Sequence, residues 1–289
     1  MAYQIFTDAA ADLTAEMLEG LPPVTIIPME FTIGGQTHAC DLADEPSIIA
    51  FYNLQRNGSM ATTSQINPTV YLEAFEACLS IGQDVLYLCF SSGLSATFDV
   101  ATLCANTLQK KYPSRKIRCI DTLCASVGQG FLVLEAARKQ AEGMDFDTLC
   151  NWIRQHQTRV CHCFTIDTFT HLRHGGRISA AAASIGSTLN LKPLLRVDTE
   201  GKLEVTARPR GHKQAMKLQL RQLKNNLAMP EHPLIVIGHG DCMDRAQALS
   251  LQVRQRYPDA DIFIAPIGPI IGAHTGPGML ALIYWGYKR

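Results

Sequence analysis

The chain reads as an α/β protein of two units, an N-terminal one with a mainly parallel sheet and a C-terminal one with a mixed sheet. Three observations predict this. The 289 residues, 47% of them hydrophobic, are enough for about two domains with a substantial core. Short apolar runs alternate with helical periodicity through the first half. After about residue 157 the pattern changes to one with a hairpin, so the expected domains are 1–157 and 158–289.

In chain order, Tyr3 to Asp8 predicts a strand ending on polar Thr7-Asp8, and Val24 to Ile33 a second. Val85 to Phe90 is a continuous apolar run of the parallel-sheet kind, and Lys116 to Asp121 a shorter one. Helical spacing fits Thr69 to Ser80, Leu94 to Lys111 and Ser126 to Glu142; in the second, Phe98, Ala101, Ala105 and Leu108 recur on one stripe. The later half predicts a strand at 160–166, a short helix before Gly175-Gly176-Arg177 and an alanine-rich helix from Ser179. Leu194 to Val197 and Leu203 to Ala207 flank the turn Asp198-Thr199-Glu200-Gly201-Lys202, as antiparallel strands do. Helix Lys213 to Asn226, strand Leu234 to Ile237, helix Met243 to Tyr257, strand Ile262 to Pro266 and the apolar run Met279 to Trp285 complete the pattern. No repeat or low-complexity segment marks the boundary, which is a change of pattern and not a linker.

Composition narrows the partners. Lys+Arg and Asp+Glu both number 26, so no global field favours nucleic acid or an anionic membrane. No basic segment followed by an apolar run opens the chain and no window of about 18 uncharged apolar residues occurs, so the expectation is a cytoplasmic protein without stable membrane insertion. The ten cysteines are dispersed among apolar runs and are expected to be reduced and mostly buried. Cys161-His162-Cys163 puts two thiols on one face of a strand, but no C-x-x-C pair supplies further zinc ligands; packing is the expectation, and no metal or cofactor is expected.

Several familiar chemistries lack their motifs. Gly238-His239-Gly240 follows a strand, yet Met243 stands where a dinucleotide fingerprint needs its third glycine. There is no G-x-x-x-x-G-K-[ST], no H-E-x-x-H and no G-x-S-x-G. What remains is a glycine-rich stretch from Gly268 to Gly278, read as a ligand-holding loop, in which His274 is the one side chain that titrates near neutrality. Two hydroxyl-rich segments accompany it, Thr62-Thr63-Ser64-Gln65-Ile66-Asn67-Pro68 and Ser91-Ser92-Gly93-Leu94-Ser95-Ala96-Thr97, each at a strand end before a helix. Ligands of open α/β sheets bind there, where free N–H groups and helix N-termini point into the crevice. Hydroxyls add donors without charge, which suits reversible holding of a carboxylate; single Ser and Thr residues in such places also serve as helix caps.

Thr63-Ser64-Gln65, Ser91 to Thr97, and Ile267 through Gly278 together resemble the DegV family of bacterial fatty-acid-binding proteins. Thr7-Asp8 with Asp12-Leu13, Leu172-Arg173-His174-Gly175-Gly176-Arg177-Ile178 and Lys192-Pro193-Leu194-Leu195 fit the same pattern, so the similarity spans nearly the whole chain. The resemblance implies a two-domain α/β protein that encloses one long-chain fatty acid near the domain interface. It further implies a carrier without catalysis of its own, which presents the carboxyl group to an ATP-dependent fatty acid kinase subunit. By matching motif, Thr63 and Ser95 resemble the carboxylate-binding hydroxyls, with Ser64, Ser92, Gly93 and Thr275 beside them and His274 as a neighbour of the carboxylate. Arg173 and Arg177 fall in the segment resembling the kinase-facing surface, Arg177 being equally suited to a structural role in a tight turn. Ala9, Ala96 and Phe98 depart from the family pattern, Ala96 most consequentially, since its methyl lies beside the expected carboxylate site. Two other readings compete: a hydrolase or acyl transferase with Ser95 or Ser92 as nucleophile and His274 as base, for which no acid orients the histidine, and a lipid sensor without a kinase partner.

Overall fold

The computed structural model describes residues 2–40, 45–179 and 190–289. The alanine-rich helix expected from Ser179 falls on 180–189 and lies outside the described residues. In chain order the strands are β1 (Tyr3–Asp8), β2 (Val24–Ile27), β3 (Met29–Ile33), β4 (Gln36–Cys40), β5 (Thr62–Thr63), β6 (Asp84–Cys89), β7 (Ile117–Asp121), β8 (Val160–Thr165), β9 (Leu194–Val197), β10 (Leu203–Ala207), β11 (Leu234–His239), β12 (Asp261–Pro266) and β13 (Leu280–Trp285). The described helices are α1 (Glu45–Arg56), α2 (Pro68–Ser80), α3 (Thr97–Lys111), α4 (Val127–Ala141), α5 (Phe146–His156), α6 (Thr170–His174), α7 (Gly211–Asn226), α8 (Met243–Arg256) and α9 (Pro269–Thr275).

These strands form three sheets. A parallel sheet has the order β2-β1-β6-β7, with the wholly buried β6 beneath α2 on one side and α4 on the other. An antiparallel sheet of order β4-β3-β5 stands beside it. The third sheet, β10-β9-β8-β13-β11-β12, is mixed: only β11 and β12 run parallel. Every strand of the mixed sheet follows residue 157 and every strand of the other two precedes it. On that ground we propose the two-domain division at 157/158.

Two differences from the sequence reading have physical causes. The strand expected over Val24 to Ile33 is two strands in different sheets, because Pro28 lacks the N–H that a continuous ladder requires. The Gly268 to Gly278 stretch is not a loop throughout. Pro269 opens α9 at its first turn, and Gly276, at φ 74°, ends it in a conformation that favours glycine. Helices α1 and α5 and the strands β4 and β5 were not anticipated. The stripe Phe146, Leu149, Cys150 and Ile153 of α5 has helical spacing and is buried, whereas the two-residue β5 is too short to leave a periodic signal.

Helix α4 joins the two large sheets. Ten of its residues are buried, and it packs on β6 of the parallel sheet and on β8, β11 and β13 of the mixed one. Two glycines allow that approach: a Cβ at Gly130 would lie 2.4 Å from Ala11 O, and one at Gly128 2.0 Å from His162 Nε2. All ten cysteines are free thiols, and Cys161 and Cys163 pack in the core beneath α7.

Short as it is, α9 is anchored at three points. Tyr52 Oη donates to Ile267 O at 2.9 Å, Gln55 Nε2 donates to Gly272 O at 3.0 Å, and the Gly268 N–H donates to buried Asp12 Oδ1 at 2.8 Å. Tyr52→Phe leaves the Ile267 carbonyl without its buried donor. The expected loss is roughly 1 to 3 kcal/mol in urea denaturation; a loss near zero would mean that the hydroxyl does not hold α9.

Candidate functional site

A largely apolar cavity with about 760 Å³ of empty space, its mouth included, lies between the mixed sheet and the N-terminal elements. Phe90, Val127, Phe164, Leu203, Ala281 and Ile283 supply much of its apolar wall. Thr63, Ser95, Arg177, His274 and Thr275 line it as well, so five of the residues expected from the sequence meet at one cavity.

Different elements deliver them. Thr63 sits on β5, paired with Phe31 of β3; Ser95 lies in the loop between β6 and α3; Arg177 follows α6; His274 and Thr275 end α9. Thr63 Oγ1 and His274 Nε2 are 2.9 Å apart and share a hydrogen bond. The other ring nitrogen, His274 Nδ1, is buried without a hydrogen-bond partner among the described residues. It packs against Gly175, where a Cβ would lie 2.1 Å away. Burial first, then the positive charges of Arg177 and His174, push the His274 pKa down to about 4. The imidazole is therefore neutral at pH 7, a donor or acceptor without charge.

Ser95 Oγ lies 2.8 Å from Thr97 Oγ1 and accepts the Thr97 N–H at 3.3 Å, a local turn just before α3. Arg177 Nε donates to Leu94 O at 3.1 Å, and its guanidinium also reaches Gly175 O. Arg177 thus ties the Ser95 loop to the Gly175 turn while its charge faces the cavity. The Thr275 hydroxyl donates back to Ile271 O at 3.1 Å within its own helix.

Other expected residues lie elsewhere. Ser64 is exposed and its hydroxyl is 3.4 Å from Glu30 Oε2. Ser92 is exposed, with its N–H donating to Asp121 Oδ1 at 3.2 Å. Gly93 packs on the β9–β10 turn, where a Cβ would be 2.7 Å from Glu200 O. Arg173 is exposed on α6.

Two residues not singled out for the site also line it. Ser126, at φ 55°, donates to Asp12 Oδ2 at 2.5 Å, and burial raises that acid's pKa to about 7. His162 donates from Nδ1 to Val160 O at 3.1 Å and accepts the Ala125 N–H at Nε2, 3.3 Å. The sequence weighed His162 only beside two cysteines; nothing local shows that alternation turns it to the cavity face. Among the described residues no group of three or more His, Cys, Asp or Glu is placed to hold a metal ion, and no helix is long and apolar enough to cross a membrane.

Fold and site together define an α/β protein with a mostly apolar cavity between its sheets. The chain belongs to the DegV family: the family model described as "uncharacterised protein, DegV family" matches residues 2–286. A DegV domain-containing protein of Clostridium perfringens is 38% identical over 284 residues, covering 98% of this chain and 97% of the relative. One of Lactococcus lactis is 33% identical over 285 residues, again with 98% and 97% covered. Among solved structures, a DegV family protein of Thermus thermophilus described by its fatty acid binding superposes with a TM-score of 0.87 at 27% identity, covering 99% of this chain and 100% of that one. The fatty acid kinase B3 protein of Streptococcus pneumoniae, loaded with linoleic acid, has the same fold, with a TM-score of 0.87 at 22% identity and 99% of each chain covered.

The pKa of His274 has a consequence for stability. Unfolded, the histidine titrates near 6.5; folded, near 4, so on acidification the unfolded state takes up its proton first. Its contribution to stability is present above pH 6.5 and is lost as pH falls from there to about 4. In His274→Gln the stability relative to wild type should rise steadily over that window, measured by urea denaturation at several pH values. A pH-independent difference would show that the fold leaves this histidine's titration unchanged.

Proposed function

We propose that this protein binds one long-chain fatty acid, with the tail in the apolar cavity and the carboxylate at the Thr63–His274 end, and presents it to an ATP-dependent fatty acid kinase subunit. One observation carries the reading: a largely apolar cavity ends in neutral hydrogen-bonding groups with one guanidinium, Arg177, beside them. A tail of about fourteen methylenes contributes on the order of 10 kcal/mol of burial before the costs of association. Enclosing a carboxylate is costly unless it is hydrogen-bonded, and Thr63, Ser95 and His274 offer donors there. The Thermus thermophilus protein, described by its fatty acid binding, and the linoleate-loaded pneumococcal kinase B3 protein support the same ligand class.

In this reading the protein is a carrier. The hydrolase alternative draws no support from the hydrogen bonding, because the Ser95 hydroxyl is engaged with Thr97 while His274 is engaged with Thr63. Arg173, exposed on α6 next to the cavity-lining Leu172, is the proposed contact for the kinase. Arg177 belongs to the lipid site in the first place, since it ties the Ser95 loop.

Lipid extraction and mass spectrometry of the purified protein test the ligand directly: about one fatty acid per chain is expected, and a clean apo mass that persists when fatty acids are offered would sink the reading. Thr63→Ala and Ser95→Ala should each weaken retention by roughly 1 to 3 kcal/mol, the usual effect of removing one partner from a buried polar group. Unchanged retention in the double variant would remove both from the site. With a competent kinase, Arg173→Ala should slow acyl phosphate formation and leave lipid retention intact; unchanged phosphorylation would argue against that contact.

A further inference from the structure

The far end of the cavity, away from the Thr63–His274 cluster, is built as a partition. A second cavity, with about 820 Å³ of empty space including its mouth, lies on the opposite face of the mixed sheet. Alternation along the strands shows this: Phe164, Ala281 and Ile283 face the first cavity, whereas Cys161, Cys163, Arg196 and Tyr284 face the second. His162 and Val197 line both.

The reason is a gap in the sheet. β8 and β9 are paired at Phe164–Leu195 and Thr165–Leu194, and the ladder stops there. His162 and Val197 are the next same-face positions in that register, and they stand on either side of the opening. The Arg289 guanidinium fills it, donating from Nε to Val160 O of β8 at 2.9 Å and from Nη1 to Asp198 O, just beyond β9, at 3.0 Å. It also donates to Gln157 O at 2.8 Å and to Leu123 O. These bonds replace the missing rungs with a side chain.

Strand register gives the depth. α9, with His274, leads into β13, where Leu280 pairs with Thr165 and Ile283 pairs with His162. His162 therefore lies three residues, roughly 10 Å, further along the wall than the end nearest the polar cluster. Its ring is wedged against Gly128 and both nitrogens are hydrogen-bonded, so it presents a fixed surface with no unmet polar demand to whatever fills the cavity.

We propose that His162, Val197 and the Arg289 guanidinium form the end stop of the acyl tunnel, and that this partition sets the longest tail the protein accepts. The inference rests on the fatty-acid reading above. The space behind the partition, flanked by the basic Arg196, Lys288 and Arg289, admits a tail only when the wall is opened.

The test offers saturated straight-chain fatty acids of increasing length to delipidated protein and reads occupancy by native mass spectrometry. Wild type should show a ceiling in chain length. His162→Ala should raise that ceiling by on the order of two methylenes or more, since the ring it removes occupies one pleat of the strand. Val197→Ala should raise it too, and because it touches no hydrogen bond it serves where His162→Ala does not fold. A folded Val197→Ala protein with the wild-type ceiling would overturn the end stop while leaving fatty acid binding standing. No wild-type occupancy at any length would remove the fatty-acid reading and the end stop with it.

Discussion

Burial of α4 between the parallel and the mixed sheet is the constraint on which the rest depends. A helix buried on both sides must be apolar nearly all round and must let strands approach closely, and α4 meets both demands with Phe131 to Leu134 and with Gly128 and Gly130. Its N-terminus follows Ser126, a cavity-lining residue, while Gln129 donates to Thr7 Oγ1 at 2.9 Å and to Leu88 O at 3.3 Å, binding the helix to the ends of β1 and β6. Ala125, Ser126 and Val127, at the N-terminal end of this helix, line the cavity. Its position therefore follows from packing and from no single motif.

The polar end of the cavity is held partly by groups outside its lining. Tyr52, Gln55 and Asp12 fix α9 from behind, and α9 in turn places His274 opposite Thr63. Arg177 fixes the Ser95 loop through its backbone carbonyl. Preorganisation of this kind reduces the ordering that a bound carboxylate would otherwise require. Burial of His274 keeps the cluster neutral, so the guanidinium of Arg177 is the positive group on the cavity wall near it. At the other end His162 is held neutral by burial and by the nearby Arg289.

Much of this was legible in the sequence. Continuous apolar runs such as Val85 to Phe90 announce buried parallel strands, alternation and a glycine turn announce the β9–β10 hairpin, and helical stripes placed α2, α3, α4, α7 and α8 within a few residues. These signals are local, since they depend on period and turn chemistry alone. The segments that carry Thr63, Ser95, Arg177 and His274 were also visible as hydroxyl-rich or glycine-rich stretches, and all four side chains line one cavity.

The tertiary structure decided which neighbours on those segments take part. Ser92 and Ser95 are three residues apart in one loop, yet Ser92 faces solvent because Gly93 is pressed onto the β9–β10 turn, a contact made by residues more than a hundred positions away. His162 has no local signal that distinguishes a core histidine from a cavity wall; its role comes from the broken pairing of β8 with β9 and from Arg289 filling the opening. By itself the sequence determined secondary structure, the thiol-rich core and the segments bearing polar side chains, because those follow from interactions between near neighbours along the chain. Only the packing of two sheets on one helix decided the cavity and brought Thr63, Ser95, Arg177 and His274 to its wall, because those contacts lie within no window of sequence.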